Sequence, residues 1–140
     1  MNNLNKRKAS ILIVEDNELD ILVLKVLLER HFNLYIVSNG QDAVNAAREF
    51  DFDVVLADIN LGDPNMDGVQ TMKEIRSNKK NAALKIFAVT AYAENRQHYL
   101  DEGFNQVLTK PVIKEEIFDI LNETYDSSKF ENIDLQKKHN

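Results

Sequence analysis

Ile11-Leu12-Ile13-Val14-Glu15-Asp16 is a run of four large apolar residues closed by two acids. The run does not alternate with polar residues and is too short for a helix. It therefore reads as a strand buried on both faces, the habit of parallel sheets. The same pattern recurs at Val54-Val55-Leu56-Ala57, which ends on Asp58. Further strands are expected at 34–37, 86–89 and 106–108, with helices at about 18–31, 41–49, 69–79, 94–102 and 114–125. This alternation predicts an α/β fold of parallel strands joined by helical crossovers, with helices on both faces.

Local chemistry supports those boundaries. Asn17 can cap the first helix, with Asp20 in its first turn beside the positive end of the helix dipole. Asn39-Gly40 marks a turn before the second helix, and Gly103 stands where a helix end wants a left-handed residue. Pro111 is expected near the start of the last helix, where its missing N–H is tolerated.

Bulk properties narrow the function. A chain of 140 residues suits one domain with a real core. The net charge of -6 argues against a general nucleic-acid binder. The chain has no cysteine, which excludes disulfides, zinc thiolate sites and a cysteine nucleophile. No apolar run approaches the ~18 residues of a membrane span and no leader-like apolar segment follows the polar start, so a cytoplasmic address is expected. Residues 1–9 read as a flexible N-terminus and 126–140 as a polar tail. In that tail Phe130, Ile133 and Leu135 leave room for a short docking segment.

The acids carry the chemistry. In an open α/β sheet, ligands bind at the carboxyl ends of the strands, which is where Glu15, Asp16 and Asp58 are expected. Carboxylates gathered there repel one another by about 4 kcal/mol per pair at 4 Å and an effective dielectric near 20. Such a cluster asks for a cation or keeps its protons; oxygen-only ligands favour a hard cation, and Mg²⁺ is one that keeps waters and phosphate oxygens in its shell. His31, His98 and His139 are scattered and read as surface residues. Thr90 and Lys110 end two further strands at the same edge. Three acids, a hydroxyl and an ammonium around one point suit a phosphoryl group, whose charge the cation and lysine would neutralise.

Val14-Glu15-Asp16-Asn17, Asp58 after an apolar strand, Met66-Asp67-Gly68, Thr90-Ala91 and Lys110-Pro111 resemble, in order and spacing, the receiver domain of two-component response regulators. No single motif is specific; the ordered set, spanning about 10–125, is. The resemblance implies a flavodoxin-like fold, a five-stranded parallel sheet of order 2-1-3-4-5 flanked by five helices. It also implies that Asp58 is the phosphate acceptor and Asp16 a direct Mg²⁺ ligand. Glu15 would act largely through metal-bound water, and Asn60 would offer its backbone carbonyl to the metal. Thr90 is the implied hydroxyl that moves to meet the phosphoryl group, and Lys110 the ion-pairing base.

The implied donor is a phosphohistidine on a sensor histidine kinase or histidine phosphotransfer protein, and the implied output a protein contact rather than nucleic acid or membrane. The domain is expected to catalyse only its own phosphorylation and dephosphorylation. It is expected to stand without an output domain, as a monomer or a weak phosphorylation-dependent dimer using the 94–125 surface. An Mg²⁺-dependent phosphohydrolase with an aspartyl-phosphate intermediate and a receiver-like scaffold without phosphorylation are the alternatives. The first lacks the second acid it needs, because the position two after Asp58 is Asn60.

Three departures from the family pattern stand out. The segment from Leu61 to Gly68 is two residues longer than the common loop, a form similar to receivers of hybrid sensor kinases. Asp63 or Asp67 could then approach the metal, a solvated turn being the plainer reading. Val107 stands where the family often has a switching aromatic, with Tyr92 or Phe104 as substitutes; Tyr92 and Asn60 are expected to set the lifetime of the phosphorylated state. Finally, eight of the ten residues Leu19–Leu28 are apolar. Leu19, Leu22, Val23 and Val26 are expected to form the core stripe, and Ile21, Leu24 and Leu28 a second stripe that is either buried under neighbouring loops or docks a helical kinase or phosphotransfer partner.

Overall fold

The computed structural model describes residues 7–124. Strands β1 (Ser10–Val14), β2 (Asn33–Val37), β3 (Val54–Asp58), β4 (Lys85–Thr90) and β5 (Gln106–Thr109) form one sheet. Its order is β2-β1-β3-β4-β5, with every pair parallel. Helices α1 (Glu18–Leu28), α2 (Gly40–Glu49), α3 (Gly68–Ser77), α4 (Arg96–Glu102) and α5 (Lys114–Thr124) connect and follow the strands. The expected 2-1-3-4-5 fold is the one observed.

Because strand side chains alternate between faces, each strand feeds two cores. Ile11, Ile13, Val54, Leu56, Phe87, Val89 and Leu108 pack on one side against Leu24 and Leu28 of α1 and Ile117, Phe118 and Leu121 of α5. Leu12, Val14, Val55, Ala57, Ile86, Ala88 and Val107 pack on the other, against α2, α3 and α4. Both faces are covered, which is why the strand sequences show no polar alternation.

Two helix starts carry asparagine caps. The Asn17 side chain accepts from the Asp20 amide at 2.9 Å as expected; Asn39, expected only to mark a turn, also caps its helix, accepting from the Asp42 amide at 2.8 Å. Gly103 closes α4 with φ of 128°, a conformation open to glycine. Helix α4 is shorter than expected, because a 3-10 turn at Ala93–Asn95 precedes it. Pro111 lies outside α5, which begins at Lys114, and its peptide bond with Lys110 is cis. The packed body also begins before Ser10. Ala9 is buried and Arg7 pairs with Asp53 at 3.1 Å, so the end of the segment expected to be flexible over 1–9 is tied down. Residues 126–140, including Phe130, Ile133 and Leu135, lie outside the described residues. Among the described residues no helix is long and apolar enough to cross a membrane.

The stripes of α1 are the reverse of the expectation. Leu24 and Leu28 are buried, whereas Leu19 is 68% and Val26 66% exposed, with Leu22 and Val23 also open. Two apolar stripes on one helix look alike in sequence; the sheet decides which one it covers. A charge at Leu24 would therefore break the core rather than probe docking. Leu24→Ala should lower stability by about 2–5 kcal/mol, and Leu22→Ala should stay within about 0.5 kcal/mol of the parent. Urea unfolding midpoints check both; equal losses would contradict this packing.

Candidate functional site

The same two-residue alternation that builds the cores aims the site. Glu15 continues the parity of Ile11 and Ile13, Asp58 that of Val54 and Leu56, and Lys110 that of Leu108, so all three continue the side that α1 and α5 cover. Parallel register sets β1 beside β3, with Val14 opposite Ala57, and so brings Glu15 and Asp58 to neighbouring strand ends. One carboxylate oxygen from each of Glu15, Asp16 and Asp58 lies within 4.8 Å of the others. Glu15 and Asp58 are buried, and Asp16 is exposed.

Lys110 enters from the last strand. Its Nζ is 2.8 Å from Asp20, 3.2 Å from Glu15 and 3.4 Å from Asp58. Its backbone amide donates to the Thr90 carbonyl at 2.7 Å. Thr90 follows Val89, the register partner of Asp58, and is fully buried; its Oγ1 accepts from the Tyr92 amide at 3.1 Å. The Asn60 amide donates to Asp58 Oδ1 at 3.1 Å. Gly68 passes so close under β3 that a Cβ there would collide with the Asp58 carbonyl oxygen.

The electrostatics record the crowding. Burial raises Glu15 from an ordinary carboxylate pKa to about 7, helped by the hydrogen bond and charge of Asp58, although the Asn17 amide opposes the shift. Burial disfavours the Lys110 ammonium, but the Asp20 hydrogen bond and the charges of Asp58 and Glu15 outweigh it and hold its pKa above the usual lysine range. Three carboxylates offering only oxygen could hold a hard divalent cation, which would need Glu15 in its deprotonated form.

Of the residues expected from sequence, Glu15, Asp16, Asp58 and Lys110 are brought together. Thr90 and Asn60 stand on the same rim. Asp63 and Asp67 are used elsewhere. The Asp67 side chain caps α3 in a capping box with Gln70, and Asp63 accepts from the Asn65 amide at 2.8 Å. Phe104 is buried edge-on against Tyr99, whereas Tyr92 is exposed.

Two contacts were not foreseen. Gly62 of the long loop donates its amide to Asp16 Oδ2 at 2.8 Å, and Asp20 makes the shortest contact to Lys110. Asp20 carried a signal, since the sequence already put this acid in the first turn of the helix that follows Glu15-Asp16.

An open parallel α/β sheet with a charged site at its strand ends is one class of protein. A family model, the response regulator receiver domain, matches residues 11–122, and the chain belongs to that family. The chain is 33% identical over 114 residues, 79% of its length, to the autoinducer 2 sensor kinase/phosphatase LuxQ of Vibrio vulnificus. It is 32% identical over 124 residues to the sensor protein GacS of Pseudomonas syringae pv. syringae. The matches span only 13% and 14% of those two proteins' lengths.

Among solved structures, the receiver domain of sensor histidine kinase PA1611 from Pseudomonas aeruginosa PAO1, with a magnesium ion coordinated in its active site cleft, is similar. The TM-score is 0.76 and the identity 31%, covering 84% of this chain and 97% of that one. The receiver domain of the Saccharomyces cerevisiae response regulator Ssk1, in complex with the histidine phosphotransfer protein Ypd1, aligns at TM-score 0.77 and 27% identity, covering 92% and 97%. The chain is thus a receiver domain of two-component signalling, like those carried by sensor kinases and response regulators.

Proposed function

We propose that the chain is a phosphoacceptor switch that takes a phosphoryl group onto Asp58 from a phosphohistidine of a partner kinase or phosphotransfer protein. The observation that carries this reading is the setting of Asp58. Its carboxylate is 4% exposed, with an ammonium 3.4 Å away and two further carboxylates within 4.8 Å.

Glu15, Asp16 and Asp58 would hold Mg²⁺, with the Asn60 carbonyl as a further oxygen. The cation would neutralise phosphoryl oxygens as charge shifts to the leaving group. Asp58 oxygen attacks phosphorus, the P–N bond of the phosphohistidine breaks, and the imidazole nitrogen leaves with the electron pair. Lys110 offers its positive charge to the transferred oxygens, and Thr90 a hydroxyl. The product adds roughly -1.5 to -2 charges if it behaves like other protein phosphates. Thr90 ends β4 and Lys110 directly follows β5, so new bonds to them would shift the neighbouring surface and hence its protein contacts.

The partner's seat is the uncovered face of α1. Leu19, Leu22 and Val26 are exposed there, and Val23 lines a pocket beside Lys110 with Pro111 and Val112. An apolar helix face next to the reacting group suits a helical donor. The domain's chemistry would be confined to its own phosphorylation and loss of phosphate, since Asn60 supplies no acid for a dedicated hydrolase.

Incubation with acetyl phosphate or phosphoramidate and Mg²⁺ should add one phosphoryl group per chain, read by intact mass, and the label should vanish when Mg²⁺ is chelated. Multiple turnover of small phosphate esters would instead indicate a hydrolase.

A further inference from the structure

Lys110 makes its shortest contact outside the three-carboxylate cluster. The ammonium has three N–H groups, and its acceptors are Asp20 at 2.8 Å, Glu15 at 3.2 Å and Asp58 at 3.4 Å. Asp20 is set in place by a chain of local bonds that begins inside the site. The Asn17 amide donates to Glu15 Oε2 at 3.1 Å, and the Asn17 side chain accepts from the Asp20 amide at 2.9 Å. This places Asp20 on the first turn of α1, over the same side of the sheet that Lys110 continues.

Asp20, Glu15 and Lys110 line one small pocket together with the apolar Val23, Leu24, Val89, Pro111 and Val112. The aliphatic stem of Lys110 borders apolar side chains while its charged tip is shared between the part-exposed Asp20 and the buried Glu15 and Asp58.

We propose that Asp20 is a positioning residue for Lys110, drawing the ammonium outward so that it does not close onto Asp58 and Glu15 in the unmodified protein. The inference deepens the phosphoacceptor reading and rests on it for its functional consequence. Without the Asp20 charge, the ammonium's remaining acceptors are the two buried carboxylates, which a cation must also use. The ammonium then competes with the cation. Asp20 is 35% exposed at its side chain, so the effect is moderate rather than all-or-none.

A residue that merely favours the α1 N-terminus would change helix stability and leave Lys110 where it is. That difference is measurable in the metal-free protein. The side-chain ammonium ¹⁵N signal of Lys110 should move in Asp20→Asn and in Asp20→Ser, the second variant retaining a side chain common in first turns, and should stay near its parent position in Asp20→Glu.

Magnesium titration supplies the functional arm. Asp20→Asn should raise the Mg²⁺ dissociation constant about fivefold. The same substitution in a Lys110→Met background should change it by less than about twofold, the screened residue of a lost surface charge. An unmoved Lys110 signal, or equal weakening in both backgrounds, overturns the proposal. A parent protein that takes up neither Mg²⁺ nor a phosphoryl group overturns the phosphoacceptor reading instead, and leaves the Lys110 signal to decide the role of Asp20.

Discussion

Asp58→Asn is expected to reduce phosphoryl incorporation from acetyl phosphate below detection while leaving the protein folded. The amide matches the carboxylate in shape but offers no nucleophilic oxygen anion, so the P–O bond cannot form. Stability should not suffer as it does for an ordinary buried polar deletion. Asp58 stands among like charges, and both its hydrogen bond and its charge raise the pKa of Glu15. Removing that charge relieves the crowding, so Glu15 should titrate at lower pH and the melting temperature should hold or rise. Intact mass and thermal unfolding read the two halves separately. Labelling of the variant at the parent rate would mean that phosphate goes to another residue, and the acceptor assignment would be lost.

The metal-free protein should lose stability as pH rises from about 4.5 to 7, opposite to the trend of a salt-bridged carboxylate. Glu15 titrates near 7 when folded and near its ordinary value of 4.5 when unfolded. Between those values the folded state binds more protons, so raising pH draws the equilibrium toward the unfolded chain. A shift of this size corresponds to a loss of about 3 kcal/mol, complete above pH 7.

Glu15→Gln should flatten the slope, which urea unfolding between pH 5 and 7.5 would register. A cation requires the deprotonated form, so Mg²⁺ affinity should climb over the same range, with up to about one proton released near pH 6. Calorimetry in two buffers of different ionisation enthalpy detects that release. Parallel stability slopes for the parent and Glu15→Gln would show that Glu15 is not the titrating group.

Both expectations depend on a carboxylate pair at adjacent strand ends, and this much was legible from residues alone. Short apolar runs ending in acids placed Glu15, Asp16 and Asp58 at one sheet edge, because a buried strand can change polarity only where it leaves the sheet. The Asn17 cap located the start of α1 for the same local reason, since an Asn bonding an amide three residues on acts within one turn. The orientation of α1 was not legible. Its two apolar stripes are equivalent until a sheet covers one of them, and the stripe expected to be core is the exposed one.

What the sequence by itself determined is therefore much of what neighbours along the chain govern: strand and helix order, the α1 cap, and which chemical groups end which strands. The tertiary structure alone decided which groups from distant segments share an atom-scale contact. Asp20 and Lys110 are 90 residues apart in sequence and 2.8 Å apart in space. That pairing follows from the parity of β5 and the side on which α1 packs. Gly62 on Asp16 is a case of the same kind, and Asp63 and Asp67, plausible ligands on paper, are consumed by turns of their own loop. Local propensity is set within a helical turn or a strand repeat, whereas the site is assembled by sheet register and packing, which no short window of sequence contains.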